Sequence, residues 1–343
     1  MSVVYSSDIA NPERRLTSFC DELKQTALLD PAARFLASSG KRIRKSIVDL
    51  VFNMAGGIGT SPPRLGESIE WLHAGSLVID DIQDDSPIRR ERPSLHREIG
   101  TPLALNAGNW MYFQALGRLF DDSLSKSIQH RLLQKMIQTS LKCHQGQALD
   151  LGARVDQIDP MQIEALVRET SRLKTGSLVA MAATFGAVAA GANRTLTSAL
   201  SRFGMNVGIV LQMRNDLEEL RTLVKDSSEG LAIRSDDLRN ARVTWPWAWA
   251  NQVCTTEQFS ELVSQLHHAN DRRVGIAGLA SQLLKYTGPL GDKVIRDRIE
   301  SQLRLLGEHV LDVSSLQRMR TALQLISKSN DLLVSEAANA ERA

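Results

Sequence analysis

The sequence predicts an all-α fold, on three observations. Residues that favour helices, chiefly Ala, Leu, Gln, Arg and Glu, are abundant along the chain. Apolar residues recur every three or four positions, as at Leu132, Met136 and Ile137 or at Leu303 and Leu306. Convincing strand alternation is absent. The prediction is therefore a bundle of many helices, in which facing helices can carry inward-pointing sites.

Glycine and proline predict where the helices break. We expect breaks at Gly56-Gly57 to Pro63, Arg92-Pro93, Gly100 to Pro102, Asp159-Pro160 and Gly288 to Gly291. The segment "WPWAWA" (245 to 250) alternates like a strand, but its proline and its helical neighbours favour a helix start, and its tryptophans are expected in the core. The apolar stretch from Leu178 to Ala192 is shorter than the ~20 residues of a membrane span. It predicts a buried, closely packed helix.

Composition limits the function classes. The chain has 343 residues, 43% of them hydrophobic, and neither a linker nor a repeat divides it, so we expect one domain over 1–343 with loosely held ends at 1–10 and 334–343. A net charge of +2 argues against a general nucleic-acid binder. Three scattered cysteines and an N-terminus without signal-peptide features predict a cytoplasmic protein with reduced thiols and no transmembrane segment.

A cluster of four aspartates follows an apolar run in "SLVIDDIQDDSPIRRERPSLH" (76 to 96). On a helix, Asp80 and Asp84 lie one turn apart on one face, with Asp81 beside them and His73 further back. Neighbouring carboxylates repel one another unless a cation offsets the repulsion. Their oxygen atoms suit Mg²⁺, which completes its shell with water and substrate phosphates. A solvated acidic helix end is the alternative, and the flanking sequence favours the metal site.

A second polar cluster lies in "GIVLQMRNDLEEL" (208 to 220). Asn215 and Glu219 are one turn apart, Asp216 adjoins them, and Gln212 lies one turn earlier. Basic residues complete the pattern in "SSGKRIRKS" (38 to 46) and at Arg89-Arg90, and they suit either phosphate or solvent.

At this point the chain resembles the trans-isoprenyl diphosphate synthase (polyprenyl synthetase) family, and within it the geranylgeranyl diphosphate synthases. The first aspartate-rich region carries the resemblance, extended through "GTPLALNAGNWMYFQAL". Supporting blocks follow in family order: "GKRIRK", "IEWLH", "CHQGQALDL", "LKTGSL", "LQMRNDLEEL" and "DDLRNARVTWP". Together they cover roughly residues 35 to 250.

The resemblance implies an isoprenoid synthase fold around a central cavity, usually as a homodimer. It implies a prenyltransferase, using up to three Mg²⁺ ions, that ionises an allylic prenyl diphosphate and couples it to isopentenyl diphosphate. The implied metal ligands are Asp80, Asp81, Asp84, Asn215, Asp216 and Glu219. The implied contacts to the allylic diphosphate are Arg89, Lys174, Thr175, Gln212 and Arg242. Those to the second substrate's phosphate are Lys41, Arg44, His73 and Arg90. Asp80, Asp81 and Lys174 are implied to act most directly in catalysis, while Gln147 and Asp150 match a block and buttress helices.

The chain departs from the family pattern at several positions. Asn215 and Glu219 replace the first and last aspartates of the second motif, and Glu229 stands where a lysine is expected, with Arg234 as a substitute for its charge. Arg242 replaces a second lysine. Glu91 and Ala241 occupy places that are glycine in the family.

These departures keep three alternatives open: a geranylgeranyl transferase to an acceptor such as indole-3-glycerol phosphate, a terpene cyclase, and a non-catalytic partner subunit. The basic residues for a second phosphate favour a transferase. Gly75 and Ser76 stand where bulky aromatic residues close the pocket at fifteen carbons in the family, and their small size predicts room for twenty carbons or more.

Overall fold

The computed structural model describes residues 12–38, 42–225, 236–269 and 273–307, together with 314, 317–321 and 323. Within these residues the regular structure is helical apart from one short two-stranded ribbon, so the predicted all-α class is confirmed. None of the described helices is long and apolar enough to cross a membrane. The predicted tails at 1–10 and 334–343, and the positions Lys41, Glu229 and Arg234, lie outside the described residues.

Fourteen described helices follow one another along the chain. They are α1 (Pro12–Lys24), α2 (Asp30–Ala37), α3 (Ile43–Met54), α4 (Pro63–Gln83), α5 (Leu95–Ile99), α6 (Thr101–Gly117), α7 (Lys126–Gly152), α8 (Pro160–Ser171), α9 (Ser177–Ala189), α10 (Arg194–Lys225), α11 (Asp236–Arg239), α12 (Trp245–Val253), α13 (Thr256–Ala269) and α14 (Arg273–Gly307). Two π-helical turns, Gln25–Leu29 and Arg172–Gly176, join α1 to α2 and α8 to α9. The ribbon pairs β1 (Ile88–Arg89) antiparallel with β2 (Arg92–Pro93).

The described residues fall into two compact units. Those up to residue 38 and from 71 to 114 form the first unit, and those from 42 to 70 and from 115 onwards form the second. Each unit has apolar packing of its own, and each carries one of the two acidic motifs.

The first unit is held together by close packing of α4 on α6. A Cβ atom on Gly75 would lie 2.8 Å from the carbonyl oxygen of Gly108, so glycine is required for this approach. Trp71 and Trp110 meet edge to face beside it, with ring centroids 5.5 Å apart. The surrounding core residues are Ala32, Ala74, Val78, Leu95, Ala104, Ala107 and Met111. Gly75 therefore serves helix packing, and the expected room for twenty carbons or more stays a prediction.

The second unit is built around α9, the stretch that the sequence predicted as a buried helix. Nearly every residue of α9 is buried. A Cβ atom on Gly204 of α10 would lie 2.8 Å from the carbonyl oxygen of Val179, so these two helices also touch through their backbones. Trp245, Trp247 and Trp249 are buried in α12, which begins at "WPWAWA" with its proline in the first turn, as predicted.

Most predicted breaks are confirmed, and one is wrong. Helix α3 ends before Gly56, α6 begins after Gly100, and α8 begins at Pro160, where Asp159 caps the first turn by accepting a hydrogen bond from the Met161 N–H. The break expected at Gly288 to Gly291 does not occur, because α14 continues through Pro289. Gly291 lies against the ring of Trp249, where a Cβ atom would be only 2.5 Å away. Tertiary packing thus keeps the helix intact despite the missing N–H of proline.

The ribbon turns through Arg90 and Glu91, and both have positive φ, at 50° and 65°. Register places Arg89 opposite Arg92, so Arg90 and Glu91 form the corner of a two-residue hairpin. Positive φ at both corner positions is the requirement of the type I′ turn, which asparagine and glycine meet at low cost. Glu91, where the family has glycine, therefore occupies a strained position.

We predict that Glu91→Gly raises the free energy of unfolding by about 1 kcal/mol, because glycine adopts the left-handed conformation without a steric penalty. Thermal and urea unfolding measure the change. The control is Glu300→Gly in the exposed interior of α14, which should lower stability by about 1 kcal/mol. Equal losses in both variants would contradict the assignment of strain to the turn.

Candidate active site

The first acidic motif ends α4 through a defined chain reversal. The Ser86 N–H donates to the Asp81 carbonyl over 2.9 Å, and the Asp85 N–H donates to Ile82 over 3.3 Å. With Asp85 at a φ of 53°, this is the Schellman pattern of a helix C-terminus. After the reversal, Asp85 is 79% exposed and pairs with Arg97 at 2.5 Å.

Asp81 is the buried member of the motif. Its side chain is 1% exposed, and the Arg89 guanidinium donates to its Oδ1 atom at 2.5 Å. Arg89 reaches it from β1, which lies directly after the helix reversal. A predicted metal ligand and a predicted diphosphate contact are therefore brought together within the first unit. Burial of a carboxylate requires such a partner, because an isolated buried charge is costly.

The residues predicted to bind the second substrate's phosphate are divided between the two units. In the first unit, Arg90 donates to the Ser38 carbonyl oxygen over 3.0 Å, which ties the ribbon corner to the end of α2. His73 is half-buried, and its carbonyl accepts a hydrogen bond from the Ser76 hydroxyl at 2.8 Å. Arg44 belongs to the second unit, in the first turn of α3, and is half-buried.

A chain of hydrogen bonds organises the second motif. The Thr175 hydroxyl donates to Gln212 Oε1 at 2.6 Å, and Gln212 Nε2 donates to Asp216 Oδ1 at 2.7 Å. The Trp245 N–H donates to the other carboxylate oxygen of Asp216 at 3.0 Å. Asp216 is thereby buried with both oxygens engaged. Thr175, Gln212 and Asp216, which were predicted from two sequence blocks, meet in this chain of hydrogen bonds.

Two glycines bring these polar groups into range. A Cβ atom on Gly208 would lie 2.6 Å from the Cα of Gly176, so α10 touches the π-helical turn one helical turn before Gln212. A Cβ atom on Gly146 would lie 2.7 Å from the Lys174 nitrogen, so α7 touches the same turn one helical turn before Asp150. Lys174 Nζ then pairs with Asp150 Oδ2 at 2.7 Å. The π-helical turn is typical of functional segments and here presents Lys174 and Thr175 together.

Four carboxylates share this part of the second unit: Asp150, Asp216, Glu219 and Asp237. Burial raises the pKa of Asp216 from 3.8 to about 6, with a smaller contribution from Asp150. Burial also raises the pKa of Asp237 well above its usual value, followed by the charges of Glu219, Asp216 and Asp150. The sequence interpretation did not single out Asp237, and it gave Asp150 only a buttressing role. The signal for Asp237 was its place in the quoted block "DDLRNARVTWP".

Three residues that depart from the family pattern are Asn215, Arg242 and Ala241, and each has a defined environment in the structure. Asn215 is exposed, and the next residue, Asp216, is buried. Arg242 is buried and donates to the Asp150 carbonyl at 2.9 Å. Ala241, where the family has glycine, has a φ of 52°, so it resembles Glu91 in occupying a conformation that suits glycine.

The donor chemistry fits a hard divalent cation. The residues of both motifs offer oxygen atoms, and the repulsion among the four carboxylates of the second unit is the kind that a cation offsets. Within the described residues, no three His, Cys, Asp or Glu side chains are placed to hold an ion by themselves.

We predict a pH dependence of stability from Asp216. The pKa of the Asp216 carboxyl is higher in the folded protein than in the unfolded protein, so its ionisation stabilises the unfolded state relative to the folded state. The free energy of unfolding should therefore fall as the pH rises from about 4 to about 6. Thermal unfolding in a chelator measures this, and Asp216→Asn should flatten the decline across that window.

Asp85→Asn is the control, because the Asp85 side chain is exposed and lies outside the buried cluster. Its stability curve should decline in parallel with the wild type. Parallel curves for Asp216→Asn and the wild type would contradict the burial of a repelled carboxylate.

Comparisons with known proteins agree with this geometry. The family model described as polyprenyl synthetase matches residues 25–277. A short chain isoprenyl diphosphate synthase from Methanothermobacter thermautotrophicus is 26% identical over 267 residues, 77% of this chain and 79% of its own. A geranylgeranyl diphosphate synthase from Sulfolobus acidocaldarius is 27% identical, over 80% of this chain and 83% of its own.

Solved structures share the fold. Geranylgeranyl pyrophosphate synthetase from Pyrococcus horikoshii matches with a TM-score of 0.74 at 24% identity, over 89% of this chain and 90% of its own. A polyprenyl synthase from Caulobacter crescentus, complexed with calcium and isoprenyl diphosphate, matches with a TM-score of 0.75 at 18% identity, over 91% and 94% of the two chains. On its all-α fold, its two acidic motifs and the family match over most of its length, this chain belongs to the polyprenyl synthetase family of prenyltransferases.

Proposed function

We propose that the protein is a Mg²⁺-dependent geranylgeranyl diphosphate synthase, which adds isopentenyl diphosphate to an allylic prenyl diphosphate. The observation that carries the proposal is that each unit holds an acidic motif beside a cation suited to a diphosphate: Asp81 with Arg89, and the second-motif cluster with Lys174. The names of the relatives support geranylgeranyl diphosphate as the product.

The chain's own residues would stabilise the departing diphosphate of the allylic substrate. Arg89 and Lys174 carry positive charge, and Thr175 and Gln212 offer hydrogen-bonding groups held in place by Asp216. Bound Mg²⁺ would supply the charge neutralisation that lets the allylic carbon–oxygen bond break. We propose up to three ions, held by Asp80, Asp81, Asp84, Asn215, Asp216 and Glu219.

The second substrate would enter with its double bond as the nucleophile, so the reaction requires no nucleophilic side chain. Lys41, Arg44, His73 and Arg90 are proposed to hold its diphosphate. Cys143 lies near the site, with its sulfur 3.5 Å from the Lys174 carbonyl oxygen, but burial raises the pKa of its thiol and so disfavours the thiolate. An apolar wall would exclude water from the carbocation.

Homodimer formation and a cytoplasmic location complete the proposal. Leu103, Leu105 and Phe113 of α6 expose apolar surface, and Phe113 is 71% exposed. A second copy of the chain would cover such a face. The three cysteines are free thiols, which suits a reducing compartment.

Turnover with defined substrates tests the proposal. Purified protein with Mg²⁺, farnesyl diphosphate and isopentenyl diphosphate should release pyrophosphate and form geranylgeranyl diphosphate, identified by mass. Asp81→Asn should lower kcat by at least about a hundredfold, because it removes a buried charge from the motif. Asp85→Asn is the matched control and should retain activity.

Equal activity of both variants would contradict the assignment of the first motif. Transfer of a geranylgeranyl group to indole-3-glycerol phosphate would replace the proposed geranylgeranyl diphosphate synthesis with the transferase alternative. Hydrocarbon released from geranylgeranyl diphosphate alone would replace it with the cyclase alternative.

Chain length offers a second prediction. Because Gly75 is occupied by packing against α6, Ser76 is the remaining small residue of the pair, and its side chain is half-buried. Ser76→Phe should shift the main product from twenty carbons to about fifteen, since each isoprene unit occupies space that the ring would fill. Ser76→Ala removes the hydroxyl without adding bulk and should leave the product length unchanged. An unchanged product from Ser76→Phe would place the end of the pocket elsewhere.

A further inference from the structure

A cavity of about 270 Å³ lies within the first unit, beside the β1–β2 ribbon that carries Arg89, Arg90 and Arg92. It is bordered by α2, the β1–β2 ribbon and α5. The residues that line it are Pro31, Arg34, Phe35, Ser38, Arg89, Arg90, Arg92, Pro93, Leu95 and Glu98. Its volume lies just below the usual range for drug-sized ligands, so it suits a small molecule.

The lining is strongly cationic. Four arginines face one carboxylate, that of Glu98. Glu98 pairs with Arg34 at 2.7 Å, with both side chains about half exposed. Arg89 also pairs with Asp81, which lies outside the lining. Arg92 adds further positive charge that favours an anion, and planar guanidinium groups match phosphate oxygens in pairs.

Arg92 differs from Arg34 and Arg89, which form ion pairs with carboxylates. It lies opposite Arg89 in the ribbon, and it forms no ion pair with an acidic side chain in the described part of the chain. Arg89 is compensated by Asp81, whereas a bound anion would compensate the charge of Arg92.

Apolar side chains complete one wall. Leu95 is buried, while Phe35 packs against the apolar core of the first unit and Pro31 is buried at the start of α2. The cavity therefore offers cations at the ribbon and an apolar surface at α2. A small organic phosphate with a short hydrocarbon body matches both.

We infer that this cavity receives the phosphate end of the second substrate, and that Arg92 and Arg34 bind it in addition to Arg90. The inference rests on the proposed function for the identity of the substrate as a short-chain alkenyl diphosphate. Arg34 is restrained by Glu98, so Glu98 weakens anion binding, whereas Arg92 strengthens it.

Calorimetric titration with inorganic pyrophosphate in a chelator tests the site without turnover. Arg92→Gln should weaken binding by about tenfold, because it removes a charged hydrogen-bond donor. Arg34→Gln should weaken binding by a smaller factor. Glu98→Gln should tighten binding by about threefold, because it releases Arg34 and removes a negative charge. Arg97→Gln is the matched control. Arg97 lies beside Glu98 on α5, but it pairs with Asp85 outside the cavity.

Steady-state kinetics then identify the source of the anion. Arg92→Gln should raise the KM for isopentenyl diphosphate by about tenfold and leave the KM for the allylic substrate within about twofold of the wild type. Weaker pyrophosphate binding with an unchanged KM for isopentenyl diphosphate would overturn the assignment to the second substrate. Equal pyrophosphate affinities for Arg92→Gln, Arg97→Gln and the wild type would overturn the cavity as an anion site.

The two proposals fail separately. A chain that binds pyrophosphate through Arg92 but turns over no prenyl diphosphate would refute the proposed function and retain the anion site. Normal prenyl transfer with Arg92-independent pyrophosphate binding would refute only the anion site.

Discussion

Carboxylates that are crowded in a poorly solvated environment must be balanced by positive charge, and both acidic motifs depend on this constraint. In the first unit the balance is provided by an ion pair, because Arg89 contacts the buried Asp81 at 2.5 Å. In the second unit Lys174 pairs with Asp150, yet the pKa of Asp216 still rises to about 6. Burial is the largest cause of this rise, and the negative charge of Asp150 adds to it, so the negative charge of the second motif is poorly compensated. A divalent ion would compensate this charge, which links the stability of the unit to the chemistry proposed for it.

Close backbone contacts place the polar groups. Gly176 and Gly208 bring α10 to the π-helical turn, and Gly146 brings α7 to the same turn. Each contact lies about one helical turn from a side chain that hydrogen-bonds to Lys174 or Thr175. The same principle operates in the first unit, where Gly75 lets α4 meet α6. These glycines thus set the distances between the helices that carry the polar and charged side chains of each unit.

Sequence reasoning reached the helical class and most helix ends, because these depend on local periodicity and spacing. It also selected Thr175, Gln212 and Asp216, which the structure joins by hydrogen bonds, while their roles stay predictions. It failed where tertiary packing decides, because the break expected near Pro289 is absent where Gly291 packs against Trp249. Asp237 was missed because its partners come from α7 and α10, which no spacing along the chain reveals. The strain at Glu91 and Ala241 also appears only in the backbone angles.

We propose, as the central claim, that tight binding of a prenyl diphosphate requires divalent ions and both acidic motifs. The most direct measurement is calorimetric binding of a non-reactive thiodiphosphate analogue of farnesyl diphosphate, with and without Mg²⁺. The account predicts that Mg²⁺ adds one analogue-binding site per chain, and that this Mg²⁺-dependent binding is lost in both Asp80→Asn and Asp216→Asn. Wild-type Mg²⁺-dependent affinity in either variant would contradict it.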